Sequence, residues 1–140
     1  MCRDASQELG CDRRAPARAR QFCGAELRAA LLPGRGLDEL VADAAIIGSE
    51  LVTNSVNAGC GALLVSLSIH RNHLRLRVRD DAPGYPELRH PGPEEVHGRG
   101  LAITAALARS WGIEPMATGK QVWAEIAFDD ALATHLDCTV

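Results

Sequence analysis

Between Val65 and Val78 apolar side chains fall at every second position, with a single interruption at Arg71-Asn72. Successive side chains of a strand point to opposite faces, so Val65, Leu67 and Ile69 share one face, and Leu74, Leu76 and Val78 share one face of the next strand. The pattern predicts a hairpin that is apolar on one side and must be covered there. The preceding residues supply the cover. Leu40, Ala44, Ile47 and Leu51 recur at helical spacing in a helix predicted from about Leu37 to Asn57 and stopped by Gly59 and Gly61. An earlier helix starts at Pro16, runs to about Leu32 and ends at Pro33, Gly34 and Gly36. Helices that precede a one-sided sheet predict an α/β sandwich, a mixed sheet with helices on one face and its arginine-bearing face left open to solvent or a partner.

With 140 residues, 46% of them hydrophobic, there is enough chain for one core. Residues 1–14 are polar and aperiodic and read as a mobile lead-in, 15–128 as the domain and 129–140 as a tail. From Ala82 to Gly98 the chain carries Pro83, Gly84, Pro86, Pro91, Gly92 and Pro93, which predicts a long exposed loop of the kind that serves function. A third helix is predicted over about Arg99 to Trp111. Strands at about Ile113 to Ala117 and Gln121 to Phe128 follow, joined by a turn at Gly119-Lys120. Trp111 and Trp123 are expected to anchor the sheet against the third helix. A net charge of −3 with no basic run argues against nucleic acid as the main partner. No apolar run reaches the ~20 residues of a membrane span and no signal peptide is legible, so the expected location is cytoplasmic. Cys2, Cys11, Cys23, Cys60 and Cys138 lie far apart without a CxxC pair, which suggests neither a zinc site nor a disulfide framework. The five histidines form no recognisable ligand spacing either.

Three constellations carry chemistry. Glu50 and Asn54 are four residues apart on the second helix and stack on one face beside its apolar stripe. There an amide oxygen can ligate Mg²⁺ and a carboxylate can take a proton from a hydroxyl, although a solvated helix face shows the same spacing. Parity counted from Leu74, Leu76 and Val78 puts Asp80 on the buried face, where a carboxylate needs a donor. That donor is either the backbone of the loop it caps or an exocyclic amino group of a base, which Gly84 would let approach closely. Gly98-Arg99-Gly100-Leu101 is a glycine-rich entry to a helix, a place where backbone N–H groups receive phosphate, or else an ordinary junction.

In this order the parts resemble the GHKL (Bergerat-fold) ATPases, most closely the short anti-sigma factor serine kinases and the related ATP-binding regulators of actinobacteria. The resemblance covers about Ala15 to Phe128. Ser49 to Asn54 is similar to the N box, which implies Glu50 as general base and Asn54 as ligand of Mg²⁺. Asp80-Asp81-Ala82-Pro83-Gly84 resembles the G1 box, implying Asp80 on the adenine amino group and Gly84 beside the base. Gly98, Arg99, Gly100 and Leu101 resemble the G2 box that holds the phosphates of ATP. The chain departs from the pattern at Ala82, which replaces a glycine, and at Ala58, where relatives often carry histidine. It departs again after Gly119, where a hydroxyl residue is usual and Lys120, Gln121 and Val122 stand instead; Gln121 is the expected substitute ligand. The resemblance implies an ATP- and Mg²⁺-dependent serine/threonine kinase acting on a STAS-type anti-sigma factor antagonist, sequestration of a sigma factor, and homodimers. The alternative is a regulator that binds ATP, or has lost it, and works by contact alone. A detached catalytic domain of a histidine kinase is disfavoured, because no dimerisation helix with a phosphoacceptor histidine precedes the domain.

Overall fold

The computed structural model describes residues 2–83 and 96–138. Five strands, β1 (Arg3–Gly10), β2 (Ala62–Ile69), β3 (His73–Asp80), β4 (Ser110–Pro115) and β5 (Lys120–Ala127), form one sheet in the order β1-β2-β3-β5-β4. The helices α1 (Ala15–Ala30), α2 (Arg35–Asn57) and α3 (Val96–Leu107) accompany it. The α/β sandwich expected from the sequence is present. Every strand pairing is antiparallel, so the sheet is uniform where a mixed one was expected.

The two amphipathic patterns meet as their periods require. Leu40, Ala44, Ile47 and Leu51 of α2 are buried against a sheet face made of Val65, Leu67 and Ile69 of β2, Leu74, Leu76 and Val78 of β3, and Val122, Ala124 and Ile126 of β5. α1 packs beside α2 and closes the same core through Phe22, Cys23 and Leu27. Burial pushes the Cys23 thiol up to about 12, so it acts as a small core residue and not as a nucleophile. Among the described residues, no helix is long and apolar enough to cross a membrane.

Residues 3–10, expected to be mobile, instead form the edge strand β1, antiparallel to β2 from Arg3↔Ile69 to Gly10↔Ala62. An edge strand needs little apolar surface, and here Leu9 alone is buried while Ala5 is half-buried. Polar contacts on the open face tie it down: Ser6 to the Ser66 hydroxyl at 2.9 Å, and Asp4 accepting from Ser68 at 2.7 Å and from Arg77 at 3.3 Å. Two disulfides, Cys2–Cys138 and Cys11–Cys60, join segments 136 and 49 residues apart, so four of the cysteines expected to be unpaired are bonded. The tail also belongs to the body. A short 3₁₀ turn at Asp130–Ala133 buries Ala133, and the Leu132 carbonyl accepts from the Leu32 N–H.

α3 begins and ends earlier than expected, at Val96 and Leu107, and the chain from Ser110 is already strand, with Trp111 opposite Ala124. Trp111 packs against the core, whereas Trp123, also expected to anchor the sheet against the third helix, does not. The alternation that buries Val122 and Ala124 sends Trp123 to the open face, where its ring crosses Gly112 and Arg75 stacks on it at 4.4 Å. Arg75 also donates to Glu125 at 2.8 Å, which holds that carboxyl below its ordinary range.

At the β2–β3 turn the rings of His70 and His73 stack at 4.3 Å, and partial burial lowers both from 6.5. Protonation is therefore harder in the folded state than in the unfolded one, and stability should fall as pH drops through about 6.5. A second decline follows at lower pH, as Glu125 and Asp81 are protonated. Urea midpoints between pH 7.5 and 5.5 should show the first decline, flattened in a His70→Asn/His73→Asn variant.

Candidate nucleotide site

β3 ends on an inward-facing carboxylate. Asp80 continues the parity of Leu74, Leu76 and Val78, and it pairs in register with Lys120, the first residue of β5. The same parity that buries Val122, Ala124 and Ile126 turns Lys120 inward, so the only lysine of the chain meets Asp80 on the apolar face. Lys120 Nζ donates to Asp80 Oδ2 at 2.8 Å, with the two side chains 5% and 0% exposed. The Ser55 hydroxyl on α2 donates to the same oxygen, and the Ala82 N–H donates to Oδ1 at 3.0 Å. A buried ion pair gains little over apolar packing, but removing one member leaves a charge stranded in a medium of low polarisability.

The register at this corner is fixed by a glycine. Gly119 has φ of +80°, and a Cβ on it would lie 1.8 Å from the Asp80 carbonyl oxygen. The turn into β5 thus presses against the backbone at the end of β3, which brings Lys120 within reach of Asp80. Asp81 turns the other way and accepts from the N–H groups of Gly61 at 2.7 Å and Ala62 at 3.0 Å. Those two donors lower its pKa, and they fasten the end of β3 to the α2–β2 link.

Glu50 and Asn54 lie half-buried on α2, and neither side chain has a hydrogen-bond partner among the described residues. Asn54 directly precedes Ser55, so the residue expected to hold a metal is one position along the helix from the residue that holds Asp80. Gly98 falls in the first turn of α3, where N–H groups have no partner within the helix, while Gly100 lies just beyond it. Gly84 and the side chains of Arg99 and Leu101 lie outside the described residues. Gln121 is a correction. Its side chain faces the open side of the sheet and donates to Glu114 at 3.4 Å, because it alternates with the inward Lys120 and Val122. Ala58 caps the exposed end of α2. Sequence reasoning thus overlooked both side chains that hold Asp80. Lys120 was findable by counting back from Val122, Ala124 and Ile126; nothing in the sequence distinguished Ser55.

Residues 12–126 match the model of the histidine kinase-like ATPase domain. The chain belongs to this family. The match leaves out β1, as a polar edge strand would lead one to expect. No curated protein matches the chain. Membership places the domain in the GHKL superfamily and makes it an ATP-binding domain. Oδ1 of Asp80 takes one hydrogen bond and has lone-pair capacity for a second, but the Asp80 side chain is 0% exposed, so a base reaches it only if the corner opens.

Proposed function

We propose that this histidine kinase-like ATPase domain is a cytoplasmic anti-sigma regulatory factor that binds Mg·ATP and phosphorylates a serine or threonine of an anti-sigma factor antagonist. The supporting observation is the buried Asp80 held by Ser55, the residue after Asn54. It supports a reading in which the proposed base-recognising carboxylate lies near the helix that carries Glu50 and Asn54. Phosphoryl transfer asks chiefly for alignment and charge neutralisation. Asn54 would hold Mg²⁺ through its amide oxygen, Glu50 would accept the proton of the attacking hydroxyl, and the first-turn amides of α3 near Gly98, with Gly100, Arg99 and Leu101, would hold the phosphates. Gly84 would lie beside the base. Partners of this reading are the sigma factor, a STAS-type antagonist and a second copy of the chain. The cytoplasmic part of this reading requires Cys2–Cys138 and Cys11–Cys60 to be open in the cell, because thiols are kept reduced there. Alkylation of the protein in intact cells reads their state.

Incubation with labelled ATP and a candidate antagonist tests the chemistry. The wild-type protein should label the antagonist, and Glu50→Ala should cut transfer by about 10²-fold or more while leaving ATP affinity in place. A wild-type protein that binds ATP and labels no cognate antagonist is the non-catalytic regulator, a reading that the departures at Gln121 and Ala58 favour.

A further inference from the structure

The two disulfides bracket β1: Cys2 precedes Arg3 and Cys11 follows Gly10. Without them little holds the strand. It buries Leu9 alone, pairs on one side only, and its ion pair from Arg3 to Glu26 at 3.0 Å is exposed to solvent. The bridges differ in what they touch. Cys2–Cys138 fastens the start of β1 to the tail, whereas Cys11–Cys60 fastens its end to the link between α2 and β2.

That link is the joint that keeps the Asp80 corner shut. The Ser55 carbonyl accepts from the Cys60 N–H at 3.3 Å and lies 3.9 Å from Cys11 Sγ, while the Ser55 hydroxyl donates to Asp80. The N–H groups of Gly61 and Ala62, directly after Cys60, donate to Asp81. One covalent bond therefore ties the edge strand to the residue that covers the buried carboxylate. Cys11 and Cys60 are half-buried, within reach of a small thiol. The remaining thiol, Cys23, is fully buried and takes no part in exchange.

We propose that Cys11–Cys60 is a reversible redox clamp: closed, it holds β1 and the α2–β2 link against the end of β3; opened, it releases both and lets the Asp80 corner admit the nucleotide base. The last part rests on reading that corner as the base site of the proposed function. A dithiol reductant supplies the two electrons. Its first thiolate attacks one sulfur of the bridge, breaking the S–S bond and expelling the other sulfur as a thiolate, which takes a proton. Its second thiol then displaces the protein sulfur from the mixed disulfide, leaving two protein thiols and the reductant as a cyclic disulfide. Asp80 is 0% exposed while the bridge is closed, so a base enters only when Ser55 moves away from it. A bridge on the same link restrains that motion. Opening the bridge raises the share of molecules competent to bind, and apparent affinity rises with that share.

Amide hydrogen exchange and calorimetric titration with ATP, on the full chain before and after treatment with dithiothreitol, test this. Reduction should speed exchange in Arg3–Gly10 and in residues 55–62 about tenfold or more and tighten ATP about fivefold or more, with the near-UV circular dichroism of the core retained. Cys2→Ser/Cys138→Ser should keep both responses. Cys11→Ser/Cys60→Ser should show the reduced behaviour without dithiothreitol. Unchanged exchange overturns the clamp, and so does loss of both responses in Cys2→Ser/Cys138→Ser. Unfolding of the whole domain on reduction overturns it too, since the bridge is then a structural staple. Faster exchange with unaltered ATP affinity overturns the coupling to the corner alone. Absence of ATP binding in both states overturns the coupling together with the base-site reading, while the exchange result decides the clamp by itself.

Discussion

Replacing Gly119 with alanine is expected to cost most of the stability of the domain. Two effects coincide there. A φ of +80° is unfavourable for any residue with a Cβ, by about 1–2 kcal/mol, and the added carbon would sit 1.8 Å from the Asp80 carbonyl oxygen and 2.6 Å from the Asp81 Cα. Backbone atoms at the end of a central strand cannot rotate aside as a side chain would. Relief requires β5 to move away from β3, which breaks the Asp80–Lys120 register and the ladder behind it. A loss of roughly 4 kcal/mol or more follows, comparable with the whole margin of a small domain. Gly59 is the internal control: it has the same φ of +80° with nothing within 4 Å of a built Cβ. Gly59→Ala should therefore lose only about 1 kcal/mol. Urea unfolding of the two variants, followed by circular dichroism, separates steric exclusion from backbone preference. Equal losses would show that the contact at Gly119 is not rigid.

Asp80→Ala should damage stability and nucleotide binding together, through the same atoms. Without the carboxylate, Lys120 loses its counter-charge at a site 5% exposed and Ser55 loses its acceptor, a situation that costs about 3–5 kcal/mol. The double variant Asp80→Ala/Lys120→Met removes the stranded charge and should recover a large part of that loss, because apolar replacement of a buried pair is often neutral. Binding should not recover with it: the double variant has a core that tolerates the change and no acceptor for the base. Thermal unfolding and ATP titration of the two variants read these outcomes. A double variant no more stable than Asp80→Ala would mean that Lys120 was never held by the pair.

The contrast between Lys120 and Gln121 shows what could be read in the sequence. Helices α1 and α2 and the β2–β3 hairpin follow from periodic apolar residues, and so does the inward aim of Asp80, since parity carries across a strand without error. The same rule holds in β5, where alternation turns Lys120 inward and sends Gln121, the residue favoured by the likeness to a motif, outward. β1 was hidden for a different reason. An edge strand secured by ladder bonds, polar contacts on the open face and two disulfides needs no apolar alternation, and pairings across 49 and 136 residues leave no local trace. Trp123 departs from the anchoring role expected of it because alternation turns it outward, and Arg75 and Gly112 give it a place on the open face. Ser55 had no distinguishing pattern, because its role depends on how α2 lies across β3.

The proposed base site is tested most directly by a crystal structure of the protein with bound ATP. The adenine amino nitrogen should lie within hydrogen-bonding distance, about 2.7–3.2 Å, of Asp80 Oδ1. A base bound elsewhere, with Asp80 still accepting only from Ser55, Lys120 and Ala82, would contradict it.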